Sequence, residues 1–507
     1  MGAMSKQESD KGALAELLDN LSSAEREALI GECEEALEKL LQKQLDGDES
    51  FADYEKSLLK IAHEIVRRKL EKKLQTIADS LEDRLIIDHN NDWHGLRQGT
   101  AFVYRRHAPG TVTYHSLVGP LAVQRHTYRE CHRNGATSVP LELSAGLMEK
   151  MTPALAESVA IGYAFMPSRQ CEEFMLASGL RPPSRSTLDR AARDLGAYAM
   201  AANEEIEPSV RANEIVDRRT CSIVVGLDRT AVPMRHGESR CGPQHGERGL
   251  RQSRPKQAFP PPNGPVEWRM DYVGTVSLMG SDGPLVTRKY RSPADAAPSA
   301  ITQRMMADLH HALGQRPVDV AVVQDGAPEL WRAMREALEG EPLASTWTEV
   351  LDWYHLDERL SKCLDLLGLK GRTRDLQRKR WHAQLLERDM GIRRVIRSIQ
   401  RNAKSCESST QNELATHIKY FRRNEARTRY ATYRSQSTTI GSGITEGACK
   451  SVISTRAKRS GQRWSQRGLT AALHLRSIHQ SDRFQSFWSF FSRRYRATCI
   501  APLGHWS

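Results

Sequence analysis

The sequence lacks the features that mark a membrane or secreted protein. None of its 507 residues belongs to a run approaching the roughly 20 apolar residues that a membrane-spanning helix requires. A hydrophobic content of 39% and a mean hydropathy of −0.57 exclude a membrane-embedded protein. The first residues contain no apolar core, so we expect no signal peptide and no membrane partner.

Cysteine pairs are also absent. The nine cysteines are widely spread, and no two of them have the CxxC spacing. This pattern excludes the strongest zinc-binding signatures and argues against a disulfide framework. A reducing cytoplasm is therefore the expected compartment.

Positive charge is in excess, but it is unevenly distributed. The sequence has 74 Lys and Arg against 62 Asp and Glu, a formal charge of +12. Residues 1–80 carry a net charge of −6, whereas 357–445 carry +11 and 446–507 carry +9. The basic C-terminal third favours a polyanionic partner, and the two ends are expected to have different roles.

The N-terminal 205 residues divide into three predicted regions. Residues 1–80 have helical spacing of apolar side chains, which fits either an oligomerisation region or a helical pair packed on its own core. Residues 81–140 contain β-like runs broken by Gly and Pro and predict a small β region. Residues 141–205 predict three helices that resemble a helix-turn-helix unit, although a plain three-helix packing module fits the pattern too.

Alternating strands and helices follow at 215–360 and predict an α/β fold class. Two apolar strands end in Asp228 and Asp325, and a fifth strand is predicted over 349–355. A basic helical segment at 361–439 then interrupts the alternation, before Gly441-Ser-Gly443 and a short helix near Glu446. The order of elements is that of an RNase H-like core with an all-α insertion. Residues 440–480 form its last part, and 481–507 form a C-terminal tail.

The two strand-end carboxylates carry the predicted chemistry. If their strands are neighbours, Asp228 and Asp325 converge on hard cations such as Mg²⁺, which prefers oxygen ligands. Two such ions activate a nucleophile and stabilise the leaving oxygen of a phosphodiester. An Asp at a strand end is also common as a turn or helix-capping residue, and this alternative stays open.

Five segments together resemble a known family. The sequence is similar to DDE transposases of bacterial insertion sequences, in particular the Kra group, which is akin to the Mutator-like lineage. The resemblance covers about residues 98–480 and rests on VGLDRTAVPM (225–234), QDGAPELW (324–331), DWYH (352–355), GSGITEGACK (441–450) and RSGQRWS (459–465).

The resemblance implies a catalytic and metal-binding triad of Asp228, Asp325 and Glu446, spaced 97 and 121 residues apart. Two Mg²⁺ ions per site are implied, with Mn²⁺ as a substitute. The DxxH motif, Asp352 and His355, is expected near the site, either to contact a phosphate or to hold its geometry. Rivals for the third acid that lie nearer in sequence are Glu329, Asp357 and Glu358.

The sequence departs from the family in two places. Arg229 stands where relatives often carry Gly after the first acid, and the upstream cysteine pair of the family is reduced to Cys131. Arg229 is then either directed at DNA or a local variant without such a role. The second departure argues against a zinc ribbon.

The implied function is metal-dependent cleavage of DNA at the ends of an insertion sequence, followed by strand transfer into target DNA. The partners are then double-stranded DNA and further copies of the chain, in a bacterial cytoplasm where the protein associates with the nucleoid. Two alternatives are a catalytically silent DNA-binding protein and a metal-dependent nuclease. The predicted DNA-contacting residues are Arg185, Arg190, Arg193, Arg229, Arg372, Arg374, Arg378, Lys379, Arg380, Lys450, Arg456, Lys458, Arg459, Arg463 and Trp464.

Overall fold

The computed structural model describes residues 50–88, 101–131, 137–235, 266–293, 296, 298–344, 347–496 and 500–502. Most of the predicted helical region at 1–80 lies outside these residues. The described chain is mixed α/β with two five-stranded sheets, which confirms the predicted α/β class. No helix in this part of the chain is long and apolar enough to cross a membrane.

The elements are as follows. The strands are β1 (Arg84–Asp88), β2 (Ala101–Ser116), β3 (Gly119–Glu130), β4 (Thr137–Ser138), β5 (Ser222–Arg235), β6 (Val266–Gly280), β7 (Gly283–Ser292), β8 (Asp319–Gln324), β9 (Trp347–Leu351) and β10 (Ile500–Pro502). The helices are α1 (Phe51–Asp79), α2 (Pro140–Ala145), α3 (Pro153–Phe165), α4 (Ser168–Ala177), α5 (Arg185–Ala212), α6 (Ser299–Gln315), α7 (Pro328–Glu339), α8 (Trp353–Leu366), α9 (Gly371–Glu387), α10 (Gly391–Ala403), α11 (Ser408–Arg423), α12 (Tyr430–Ser435), α13 (Gly443–Ala448), α14 (Thr455–Ala457), α15 (Gln466–His479) and α16 (Phe484–Arg496). A π-helical turn, Cys449–Ser454, joins α13 to α14.

The first sheet has the order β10-β1-β2-β3-β4, and its strands β1–β4 lie within the predicted small β region. Helix α1 lies along β3, where the Glu71 carboxylate accepts a 2.8 Å hydrogen bond from the Ala122 amide. The sequence leaves the place of the C-terminal tail open. In the structure, β10 pairs antiparallel with β1, so the tail returns to the N-terminal sheet.

Helices α3, α4 and α5 confirm the three helices predicted within 141–205. Their apolar side chains share one hydrophobic core with the π-helical turn, α15 and α16. Gly196 of α5 approaches α15 so closely that an added Cβ would lie 2.4 Å from Cβ of Ala471. The three helices therefore serve as a packing layer beneath the last part of the chain, whatever else they bind.

The second sheet has the order β7-β6-β5-β8-β9. Strands β5, β6 and β7 are antiparallel, whereas β8 pairs parallel with both β5 and β9. Both faces of the central strands are apolar: Val225 and Val322 pack towards α6 and α7, while Val224 and Val323 pack towards the helices α8–α12. Such double burial requires continuous apolar runs, which is what the sequence shows here.

Two predicted strand ends are wrong. Strand β5 continues beyond Asp228 to Arg235, because β6 still pairs with it there. Strand β9 ends at Leu351 rather than at residue 355, because Asp352 caps the first turn of α8 by accepting a hydrogen bond from the His355 amide. Both changes bear on the position of the candidate site.

The helices α8–α12 pack on β9 as an all-α segment. Trp381 and Leu385 are fully buried in its core, together with residues of β8 and β9. Tyr430 and Tyr433 of α12 donate hydrogen bonds to the backbone carbonyls of Leu351 and Glu349, at 2.8 and 2.9 Å. The segment is thus fixed to the strand that leads into Asp352.

A buried ion network joins α5, α6 and the start of α16. The Arg483 side chain is 7% exposed and donates to the carboxylates of Asp308 and Glu214. Tyr290 of β7 lies within 3.4 Å of the same guanidinium. This network fixes the C-terminal helix to the second sheet.

We expect Arg483→Met to lower the free energy of unfolding by about 1–3 kcal/mol, because it removes buried donors to Asp308 and Glu214, which keep Arg211 and Arg288 as their other partners. Urea denaturation at neutral pH measures the effect. Arg401→Met removes an exposed arginine of α10 and is the matched control, with a change below about 0.5 kcal/mol. Equal stability of the two variants would contradict the prediction.

Candidate active site

The strand register places Asp228 and Asp325 side by side. Val225 of β5 pairs with Val322 of β8, and each aspartate follows its paired valine by three residues. The parallel pairing of β5 with β8 ends at Val225 and Val322, and Asp325 lies just after the last residue of β8, so the register brings the two acids to a similar level along the strands. The predicted convergence of these two acids is therefore supported by the register.

The two carboxylates influence each other electrostatically. Burial raises the pKa of Asp325, and the charge of Asp228 raises it further, whereas the Ala327 amide opposes the shift by donating a 2.8 Å hydrogen bond. One Asp228 oxygen accepts from the Arg229 amide at 2.7 Å. The buried Cys449 thiol donates to the same carboxylate, and burial together with Asp228 raises the pKa of the thiol. Partly buried acids that repel each other form a site suited to a cation.

Asp352 is buried completely and is fully hydrogen-bonded. One of its oxygens accepts from the His355 amide and from His355 Nδ1, both at 2.8 Å, and the other accepts from the Ser442 amide at 2.5 Å. Burial alone would raise the pKa of Asp352, but these bonds hold it below its ordinary value. Asp352 thus joins Ser442, which follows the all-α segment, to the start of α8.

His355 lies between the carboxylates. Its Nδ1 atom lies 2.8 Å from Asp352 and 3.4 Å from Glu446. The hydrogen bond with Asp352 raises the pKa of His355 to about 9, and the charges of Glu446 and Asp325 add to the effect. A protonated imidazole is thereby held next to Glu446.

Helix α13 brings Glu446 to the sheet. Its Thr445 hydroxyl hydrogen-bonds with the Thr275 hydroxyl of β6 at 2.8 Å, and Ser442 donates to the Glu446 carboxylate at 3.3 Å. The approach needs Gly226, since an added Cβ there would lie 2.2 Å from Thr445 Oγ1 and 2.8 Å from the Val323 carbonyl oxygen. Gly226 is on the strand that carries Asp228, so this contact couples the first and third acids.

The rival third acids are committed elsewhere. Glu329 pairs with Arg229 at 2.5 Å, Asp357 pairs with Arg378 and His382, and Glu358 pairs with Lys362 at 2.8 Å. Glu446 instead faces the charged groups of the site through His355. Glu446 as the third acid stays a prediction.

A divalent cation fits the acidic donor set in part. Among the described residues, Asp352, His355 and Glu446 are the group of three whose ligand atoms lie within 4.8 Å of one another, and the predicted triad is not drawn together that closely. Both Asp352 oxygens already accept N–H donors, which removes Asp352 as a good ligand. Asp228 and Asp325 are neighbouring acids that repel each other, so they suit a hard cation better.

The predicted DNA-contacting residues divide by exposure. Arg185, Arg190, Arg372, Lys379, Arg380, Lys450 and Lys458 are exposed. Arg193, Arg229, Arg374 and Arg378 form ion pairs with Asp189, Glu329, Asp365 and Asp357, respectively. Arg459 is half-buried and donates to Gln170 and to the Phe165 carbonyl, and Arg463 is half-buried.

Trp464 and Arg456 do not lie on an exposed basic face, and the contact of Trp464 with a DNA base stays a prediction. The two residues are 8% and 1% exposed. The Trp464 indole donates to the Ala457 carbonyl at 3.1 Å, and the Arg456 guanidinium stacks on the Trp464 ring at 4.5 Å. The cause is that residue 464 pairs with the end of β5, which turns this segment inwards.

Tyr420 and Cys449 were missed by reasoning from the sequence. The Tyr420 ring of α11 covers Gly326 so closely that an added Cβ would lie 2.2 Å from it, and Arg359 stacks on the ring at 3.8 Å. Arg423 of the same helix donates to the Gly326 carbonyl at 3.1 Å. The all-α segment therefore contacts the turn after Asp325. Gly326 was the one sequence signal for this close contact.

Comparison with known proteins does not identify a family for this chain. No family model matches the chain, and no curated protein matches it. Among solved structures, the Drosophila P element transposase strand transfer complex is similar at 13% identity, covering 68% of this chain and 81% of that one, with a TM-score of 0.24. A TM-score of this size does not establish a common fold.

Proposed function

We propose that this chain is a DNA transposase of an insertion sequence, with an RNase H-like catalytic core interrupted by an all-α insertion. The observation that carries the proposal is the proximity of Asp228 on β5 to Asp325 just after β8, with Glu446 of α13 connected to the same site through His355. The order of elements along the chain supports it, since β5, β6, β7, α6, β8, α7 and β9 follow one another as the sequence predicts.

In this proposal Asp228, Asp325 and Glu446 hold two divalent cations, Mg²⁺ or Mn²⁺. When bound, such ions lower the pKa of water and stabilise the leaving oxygen of a phosphodiester. Asp352 orients His355, and His355 holds Glu446 towards the other two acids. Exposed arginines and lysines of α5 and α9, with Lys450 and Lys458, attract the phosphate backbone.

The reaction has two displacements at phosphorus. Water attacks the phosphodiester at an element end, forming one P–O bond and breaking another, which frees a 3′-hydroxyl and leaves a 5′-phosphate. The 3′-oxygen then attacks a target phosphodiester, loses its proton and displaces a target oxygen. The number of phosphodiester bonds is unchanged in the second step, so it needs no external energy source.

We also propose that the chain acts as a homo-oligomer on paired ends. Helix α1 exposes several apolar side chains, among them Phe51 at 82%, Leu59 at 44% and Val66 at 45%, which a paired helix would cover. Exposed apolar residues repeated along one helix are a common feature of helix pairing.

A strand-joining assay tests the function. Labelled DNA from the ends of the encoding element, incubated with the protein and Mg²⁺, is expected to give 3′-cleaved and target-joined products. Mn²⁺ is expected to replace Mg²⁺, and a chelator is expected to abolish both products. Cleavage without joining would indicate a nuclease, and binding with neither product would indicate a silent DNA-binding protein.

A further inference from the structure

A cavity lined by arginines lies away from the proposed cation site. A cavity of about 290 Å³ is lined by Arg193, Arg235, Arg456 and Arg463, with Asp189 as its one acidic side chain. Asp189 is neutralised by Arg193 at 2.8 Å. The lining therefore keeps a surplus of positive charge.

Arg456 forms the buried wall of this cavity. Its side chain is 1% exposed, its Nε donates to the Tyr163 carbonyl at 3.0 Å, and its Nη1 has no hydrogen-bond partner. A guanidinium cannot give up its charge in a protein, so burial without a carboxylate partner is costly unless an anion compensates it. Aromatic rings of Tyr163 and Trp464 offset the cost only in part.

The cavity lies between the end of β5 and the helices α3–α5. Its floor is the end of β5, where the Arg235 amide donates to the Trp464 carbonyl at 2.9 Å. Arg235 follows Asp228 by seven residues on this strand, or about 23 Å at roughly 3.3 Å per residue. That length corresponds to about seven base pairs of duplex at about 3.4 Å each. Exposed Arg185 and Arg190 lie on α5, the helix that contributes Arg193.

We propose that the Arg456 cavity binds a phosphate group of the DNA backbone several base pairs from the cleaved bond. This inference rests on the proposed function, and it adds a specific contact that fixes how far the duplex extends past the acids. Arg235 and Arg463 meet the phosphate oxygens, and Arg456 supplies charge from beneath. Guanidinium groups suit such oxygens because they offer planar pairs of N–H donors.

The test is the salt dependence of DNA binding by the full chain. The cavity variant combines Arg235→Gln with Arg463→Gln. The plot of log K against log salt falls as salt rises, and in this variant its slope is expected to be less steep by about one, the amount for one lost phosphate contact. Arg218→Gln removes an exposed arginine outside the cavity and is expected to leave the slope unchanged. Arg456 itself stays intact, because its buried side chain supports the fold.

The melting temperature in inorganic phosphate distinguishes a site for a DNA phosphate from a site for free phosphate. If phosphate raises the melting temperature of the wild type but not of the cavity variant, while both show the same DNA salt slope, the cavity is a free-phosphate site and the proposal is overturned. An unchanged slope without any phosphate effect also overturns it. Joining by the wild type, measured in parallel, shows whether the proposed function stands in either case.

Discussion

Replacing Asp228 or Asp325 with Asn, or Glu446 with Gln, is expected to abolish strand joining while leaving DNA binding in place. Each change removes a carboxylate from the proposed cation site. A loss of about 4 kcal/mol of transition-state stabilisation corresponds to a rate decrease on the order of 10³-fold. Gel separation of joined and unjoined DNA measures the rates, and a mobility-shift assay measures the binding.

Replacing Asp325 is also expected to change the melting temperature of the protein. Burial and the neighbouring Asp228 charge raise the pKa of Asp325, which means that the charged form is less favourable in the folded protein than in the unfolded one. At neutral pH, Asp325→Asn is therefore expected to raise the melting temperature in the absence of divalent cations. A misfolded variant would show the opposite change, so this result identifies lost chemistry rather than lost structure.

Glu358→Gln is the control for the third acid. Glu358 is a rival in the sequence, but it is exposed and paired with Lys362 one helical turn away. Its replacement is expected to leave joining within about twofold of the wild type, since exposed pairs of this kind contribute below about 1 kcal/mol. Loss of joining in Glu358→Gln but not in Glu446→Gln would contradict the assignment of the triad.

The sequence was informative where local patterns decide the structure. Apolar runs before Asp228 and Asp325 predicted that the two acids converge if their strands are neighbours, because a buried strand has a distinctive composition. Glu446 was found only through the family resemblance. Its position depends on Thr445 meeting Thr275, a contact 170 residues apart along the chain that no local pattern reports.

The same reasoning explains the errors. Asp352 reads as part of a strand because one of its stabilising partners, the Ser442 amide, lies 90 residues away. Arg456 and Trp464 belong to a basic cluster that reads as a solvated face, yet pairing of residue 464 with β5 buries both. Tertiary contacts decide these positions, and charge density alone does not distinguish a buried arginine from one that faces DNA.

Gly226→Ala is expected to impair catalysis far more than folding. The added methyl would lie 2.2 Å from Thr445 Oγ1 and 2.8 Å from the Val323 carbonyl oxygen, so α13 must move away from the sheet and carry Glu446 with it. Overpacking of this kind costs about 1–3 kcal/mol, which a folded chain of this size tolerates. A displacement of about 1 Å at a reacting group lowers rates by about 100-fold.

The rate of joining and the melting temperature, measured on the same preparation, check this expectation. Gly340→Ala is the matched control, because its backbone is in the ordinary helical region and its added Cβ would meet only the Ala337 carbonyl oxygen at 3.6 Å. That variant is expected to match the wild type in both measurements. If Gly226→Ala also joins DNA at the wild-type rate, then close seating of α13 on β5 is unnecessary and Glu446 does not act with Asp228. A large loss of stability in Gly226→Ala would instead make the contact structural.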